Sequence, residues 1–259
     1  LVIIVSLHAN LLQLSKKIRV GAVSYLNTKP LLYGLQHHDV YESIELIEDY
    51  PANLARALEE NTIDIGLVPV AVIPGLADPY IISDYCIGAK GPVASVCIFS
   101  QVPMESITAV YLDYQSKTSV NLARILLKNY WKQDVLLLEA PSNFMDLIDG
   151  STAAVIIGDR ALEKYNSYAY RYDLAEAWIN YTGKPFVFAT WVANKPIDEV
   201  FITNFNEANG LGLNNINTVV DQLSHMKNSY NLHTYFTQNI SYHLDFAKKE
   251  GMTKFLSLL

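Results

Sequence analysis

Four short clusters of hydroxyl and amide side chains hold most of the chemistry open to this chain. Ser24, Tyr25 and Asn27 sit in Val23-Ser-Tyr-Leu-Asn-Thr-Lys-Pro30, and Ser95 lies inside the apolar run Gly91-Pro-Val-Ala-Ser-Val-Cys97. Ser116, Thr118 and Ser119 follow Asp113-Tyr-Gln115, and Ser151 and Thr152 open the run Ser151-Thr-Ala-Ala-Val-Ile-Ile157. Amides and hydroxyls donate and accept hydrogen bonds but are poor proton acceptors near neutral pH. They can orient a ligand rather than act as strong bases. Three hydroxyls and Lys117 at a helix start, beside free helical N–H groups, make a candidate carboxylate site. Each group also has a plainer use. Asn27, Ser116 or Asp159 can cap a helix, and a buried Ser95 can be satisfied by nearby backbone.

What the clusters lack narrows the chemistry further. No Gly-x-Ser-x-Gly elbow surrounds Ser95, which disfavours a hydrolase nucleophile. The six histidines make no His-x-x-x-His spacing, and Cys86 and Cys97 form no Cys-x-x-Cys motif. No metal and no cofactor is therefore expected, and the two cysteines read as buried free thiols in a reducing compartment. No His or Glu falls in the polar clusters, so a general base is missing from them. That suits a reaction in which the protein mainly positions the substrate and excludes water.

The elements that must position these groups follow from apolar patterning. Strands are expected at Arg19–Val23, Ile44–Ile47, Ile63–Val68, Tyr80–Ile87, Val93–Phe99, Ala109–Asp113, Val135–Leu138, Ala153–Ile157 and Phe186–Ala193. Helices are expected at Leu31–His38, Pro51–Glu60, Ser119–Trp131, Ser142–Asp149 and Arg160–Tyr165. The alternation argues for an α/β protein with mostly parallel sheets. Residues 197–259 read as helices without a strong strand, interrupted at Asn209-Gly-Leu-Gly212 and around Lys227-Asn-Ser229. Val93–Phe99 and Phe186–Ala193 read as crossings between two lobes. Asn27 then stands at a strand end and Ser95 on the floor of a cleft, where open α/β proteins gather ligands. Phe186, Phe188 and Trp191 are candidates for its apolar wall.

The chain has 259 residues, 51% of them hydrophobic and 17% charged, with a formal net charge of −7. That balance supports a folded body with a sizeable core and argues against a nucleic-acid partner, which needs a basic face. No Lys/Arg run exceeds two residues, so no membrane-surface patch is expected. Residues 1–17 are apolar with Lys16 and Lys17 at the end, the reverse of a secretory signal, and too short to span a bilayer. They read as an appendage of a cytoplasmic protein.

Gly21-Ala-Val-Ser-Tyr-Leu-Asn-Thr-Lys-Pro-Leu31 resembles the opening of the chorismate dehydratases of the futalosine route to menaquinone. Asp64-Ile-Gly-Leu-Val-Pro69, Ser116-Lys-Thr-Ser119, Ile156-Ile-Gly-Asp-Arg-Ala161 and Trp178–Trp191 agree, in the expected order. The resemblance implies a two-lobed fold of the periplasmic-binding-protein type 2 kind with a central cleft. Lobe 1 would comprise residues 18–97 and 195–259, and lobe 2 residues 98–194. It implies loss of water from chorismate to give 3-[(1-carboxyvinyl)oxy]benzoate, the ring proton beside the enolpyruvyl ether leaving with the neighbouring hydroxyl. Asn27 and Ser95 would be the catalytic pair. Ser24, Tyr25, Ser116, Thr118, Ser119 and Thr152 would bind substrate, although the acidic residue that the family usually has near Ser151 is absent here. A non-catalytic solute-binding protein of the same fold, or another menaquinone-pathway enzyme of that fold, is the alternative.

Overall fold

The computed structural model describes residues 17–224 and 230–259. All of the expected appendage but Lys17 lies outside the described residues, as does the break expected around Lys227-Asn-Ser229. In chain order the elements are β1 Ile18–Val23, α1 Lys29–Gln36, β2 Ile44–Asp49, α2 Pro51–Glu59, β3 Ile65–Pro69, β4 Tyr80–Ala89, β5 Val96–Ser100 and β6 Ala109–Leu112. Then come α3 Lys117–Asn129, β7 Leu136–Glu139, β8 Thr152–Ile157, α4 Asp159–Glu163, β9 Tyr170–Asp173, α5 Leu174–Thr182 and β10 Phe186–Ala193. The chain closes with α6 Glu199–Asn214, α7 Ile216–Gln222, a helical turn at Leu232–Thr234 continued by a π-helical turn at Tyr235–Asn239, β11 Ser241–His243 and α8 Phe246–Leu256.

Two sheets carry the strands. One has six, in the order β11-β4-β10-β3-β1-β2, and the other has five, in the order β7-β6-β8-β5-β9. Only β1, β2 and β3 in the first and β6, β7 and β8 in the second run parallel; the remaining pairings are antiparallel. The expected mostly parallel sheets are thus mixed. The connections explain why. The crossovers within the parallel trios carry helices, except β7 to β8, which has only a 3₁₀ turn, whereas β5 and β10 arrive from the opposite sheet and insert in the reverse sense.

Pairing also moves the expected lobe boundaries. Val96–Ser100 pairs with β8 and β9, and Phe186–Ala193 pairs with β3 and β4. Neither strand straddles the two sheets. The crossings are the short segments ahead of them, residues 90–95 and 183–185, so strand 186–193 belongs with the first lobe rather than inside 98–194.

The stripes that build these elements are ordinary. In β5, Val96 and Ile98 join the main apolar core while Cys97 and Phe99 face Phe144, Ile148 and Ala161 on the other side of the sheet. This is the two-residue alternation of a strand covered on both faces. Both cysteines are buried and unpaired, and burial pushes the Cys86 thiol up to about 12. Three expectations fail locally. Ser142–Asp149 contains only a 3₁₀ turn, Phe144–Leu147. The C-terminal part does contain a strand, β11, which pairs with β4. And α6 runs unbroken through Asn209-Gly-Leu-Gly212, because those glycines let it cross α1 closely. A Cβ on Gly212 would lie 1.8 Å from the Pro30 carbonyl oxygen, and one on Gly34 would lie 1.9 Å from that of Ala208.

Candidate active site

A cleft with about 530 Å³ of empty space, including its mouth, opens between the two sheets. Its walls come from the carboxyl ends of parallel strands in both: Val23 of β1 and Pro69 of β3 on one side, Ile157 of β8 and Gly158 on the other. Strand ends are where helices begin and backbone N–H groups point outward, so the topology gathers donors there.

Tyr25, Asn27, Ser95, Ser116 and Ser119 line this space. Asn27 lies in a 3₁₀ turn, Leu26–Thr28, that links β1 to α1. The Thr28 hydroxyl donates to Asn27 Oδ1 at 3.2 Å, and the Tyr242 hydroxyl donates to the Asn27 backbone oxygen at 3.0 Å. No side-chain cap bond is made at the start of α1, so Asn27 is not its cap.

Ser95 ends a tight turn ahead of β5. Its N–H donates to the Val93 oxygen at 2.8 Å across Ala94, whose φ is +64°. A positive φ is uncommon for a residue with a Cβ and marks stored backbone strain. The Ala94 N–H donates to the half-buried Asp173 carboxylate at 2.7 Å, whose other oxygen caps α5 at the Ala175 and Glu176 N–H groups. Gly158 N–H donates to the Ser95 carbonyl at 2.8 Å. The turn is thereby held from both flanking strands. Burial raises the Asp173 pKa, although the backbone N–H groups of Glu176, Ala94, Val93 and Ala175 oppose it.

Ser116 caps α3, its Oγ accepting from Ser119 N–H at 3.2 Å, and the two hydroxyls lie 3.0 Å apart. Both remain on the cleft wall. Tyr25 lies over Gly158, where a Cβ would meet the ring at 3.4 Å, and Gly158 has a φ of +63°. The Tyr25 hydroxyl donates to Gln115 Oε1 at 2.6 Å, and Arg160 donates to the same oxygen at 2.7 Å and to Asp113 at 2.6 Å. Burial, then the Asp113 charge, raises the Tyr25 pKa, so the phenol stays protonated.

Three expected ligand contacts are placed elsewhere. Ser24 is exposed and does not line the cleft. Thr118 is fully buried, its Oγ1 accepting the Ala71 N–H of the other lobe at 3.1 Å. Thr152 begins β8, pairing with Ala109, whereas the cleft lies at Ile157; five residues of strand separate them by about 16 Å. Asp159 does not cap α4. It begins that helix, and its Oδ1 accepts the Leu26 N–H of the opposite lobe at 3.0 Å.

Of the expected apolar wall, Phe188 is in place beside Ile87 and Val93. Phe186 instead packs edge-on to Trp178 and Phe255, and Trp191 turns to α6, its Nε1 donating to Asn209 at 3.2 Å. Among the described residues no group of three or more His, Cys, Asp or Glu side chains is placed to hold a metal ion. The residue that sequence reasoning missed is Tyr235. It is fully buried, and its hydroxyl donates to Ser95 Oγ at 2.8 Å. With 17 tyrosines in the chain and no local motif around this one, nothing in the sequence singled it out.

Comparison with known proteins agrees with this architecture. A chorismate dehydratase of Thermus thermophilus is 24% identical over 261 residues, covering 93% of this chain and 94% of that protein. Among solved structures, a protein of Archaeoglobus fulgidus superposes with a TM-score of 0.71 at 12% identity, covering 95% of this chain and 97% of its own. The periplasmic aliphatic sulphonate binding protein of Escherichia coli gives 0.62 at 15% identity, covering 94% and 86%. A Candida albicans gene product described as having the generic periplasmic binding protein fold gives 0.59 at 13% identity, covering 93% and 89%. The fold is therefore of the periplasmic-binding-protein kind. The sequence pattern described as menaquinone biosynthesis matches residues 18–259, from the first strand of the six-stranded sheet to the last residue, and on that match the chain belongs to the menaquinone biosynthesis family.

Proposed function

We propose that this protein is a chorismate dehydratase, converting chorismate to 3-[(1-carboxyvinyl)oxy]benzoate and water. The observation that carries the reading is the lining of the cleft. Amide and hydroxyl groups of Tyr25, Asn27, Ser95, Ser116 and Ser119 face an apolar wall of Val23, Ile87, Val93 and Phe188. No carboxylate, imidazole or ammonium is among the lining residues. A volume of this order suits a single small ring, and the mixture of one apolar wall with a few convergent donors suits a ring bearing carboxylates. Membership of the menaquinone biosynthesis family and the Thermus thermophilus relative support the same assignment.

In this reading the side-chain carboxylate of the substrate takes the ring proton from the ether-bearing carbon. The electron pair of that C–H bond forms the new ring double bond as the neighbouring hydroxyl departs, and the hydroxyl leaves as water with the proton that the carboxyl took, so that the ring becomes aromatic. Asn27 and Ser95 hold the polar groups at the reacting carbons. The start of α3, with Ser116 and Ser119, takes a carboxylate through hydroxyls and N–H groups of the first turn. The protein's part is to fix one geometry and keep water away.

The test is incubation of purified protein with chorismate and chromatographic detection of the enolpyruvyl benzoate. Binding of chorismate without product would assign the cleft to solute binding instead. Asn27→Leu keeps the approximate volume and removes both hydrogen-bonding functions. It should lower kcat/KM about 10- to 150-fold, the worth of one hydrogen bond to a charged group, while the fold survives with a melting temperature lowered by only a few degrees, since the Thr28 hydroxyl loses its acceptor. Near-wild-type turnover in that variant would remove Asn27 from the site.

A further inference from the structure

We propose that Tyr235 is a positioning residue for this reaction, its phenolic O–H fixing the Ser95 hydroxyl as a donor into the cleft; the assignment rests on the dehydratase reading above. Tyr235 does not line the cleft itself. It lies behind Ser95, wholly buried, with its hydroxyl 2.8 Å from Ser95 Oγ. Burying a phenol oxygen is costly unless it is hydrogen-bonded, and packing alone would be served as well by phenylalanine.

The direction of the bond matters. A phenol has one proton, and here it is given to Ser95 Oγ. With Oγ already accepting from Tyr235, the proton of Ser95 must point elsewhere. Among the described residues Ser95 Oγ has no other partner, and the cleft is the open side. The bond from Tyr235 to Ser95 and the bond that Ser95 can give thus run their donors in one sense, towards the cleft. Such chains polarise each member towards the next.

The backbone around Tyr235 is built to hold this arrangement. Tyr235 opens the π-helical turn, and Asn239 closes it by donating Nδ2 to the Pro92 oxygen at 2.9 Å. Asn239 Oδ1 in turn accepts the Tyr230 hydroxyl at 3.0 Å. One turn therefore grips the strained segment 92–95 at two points, Pro92 and Ser95. Single π turns inside helical segments are uncommon and recur at functional sites.

A double-mutant cycle on kcat/KM and on chorismate affinity by calorimetry tests this, using Tyr235→Phe, Ser95→Ala and the pair. Phenylalanine keeps the ring and its packing. In the Ser95 background, Tyr235→Phe should lower kcat/KM about 3- to 10-fold with little change in melting temperature. In the Ser95→Ala background it should have no further effect, because the hydroxyl through which it acts is gone. An equal loss in both backgrounds, or no loss in either, would overturn the assignment. If the wild type binds chorismate but forms no product, the dehydratase reading fails and the same cycle read on affinity decides Tyr235 by the same criterion. A wild type that neither binds nor converts chorismate overturns both.

Discussion

Thr118 and Ser119 are adjacent on the first turn of α3, about 100° of helix rotation apart, and that rotation separates their roles. Ser119 reaches the cleft. Thr118 points to the other lobe and accepts the Ala71 N–H. Replacing Thr118 by Val keeps the shape and leaves a buried N–H without its acceptor, which costs about 1–3 kcal/mol. For a chain of this size that is a fall of roughly 2–10 °C in melting temperature. Thermal melts should show it, while chorismate affinity by calorimetry stays within about twofold. A weakened affinity with an unchanged melt would put Thr118 back in the ligand site. Ser116 and Ser119 could be read from sequence because a helix start with hydroxyls at its cap is a local pattern. Tyr235 could not, because its partner Ser95 is 140 residues away.

At the scale of elements, the crossing of α1 and α6 shows how composition misleads. Asn209-Gly-Leu-Gly212 reads as a break, since glycine weakens a helix by about 1 kcal/mol relative to alanine. The helix survives because Gly212 and Gly34 remove the Cβ atoms that would collide with the Pro30 and Ala208 carbonyl oxygens. The two helices gain contact that offsets the propensity loss. Helix propensity predicts that Gly212→Ala stabilises the protein; the packing predicts the reverse, by about 1–3 kcal/mol or more. Denaturant unfolding decides the sign, and a raised midpoint would mean that the helices separate at little cost. Because α1 begins one residue after Thr28, loosening this crossing should also disturb Asn27 and lower turnover.

For the molecule as a whole, the cleft is flanked by polar contacts that span the two lobes. Tyr25 bonds Gln115, Leu26 N–H bonds Asp159, and Ala71 N–H bonds Thr118. The first two lie within the loop that carries Asn27, so the proposed ligand contact and the lobe contacts share one segment. Burial raises the pKa of Asp159, which the Leu26 N–H opposes by favouring the carboxylate. Tyr25→Phe removes the bond to Gln115, which keeps its partner Arg160. The expected result in steady-state kinetics is a KM raised about 2- to 10-fold, the range of one neutral hydrogen bond, with kcat changed less. An equal fall in kcat at constant KM would place the Tyr25 hydroxyl at the reacting atoms instead of at the lobe contact.

Local signals in the chain carry a great deal of this protein. The alternation of short β-rich runs and amphipathic helices sets the α/β class, and strand–polar tip–helix units place Tyr25, Asn27, Ser116 and Ser119 at strand ends. These features depend on neighbours three or four residues apart, so they survive in one dimension. What only the tertiary structure decides is pairing and direction. Strand β10 joins the first sheet through antiparallel partners 97 to 128 residues earlier. Strand β11 exists only because the edge of β4 offers it bonds. Thr152 stands at the wrong end of its strand because parallel pairing fixes which end meets the cleft. Tyr235 reaches Ser95 because the C-terminal segment folds back over the crossing turn. Hydrogen-bond partners at long separation are chosen by the closed shape of the whole chain, and no local pattern of residue types encodes that choice.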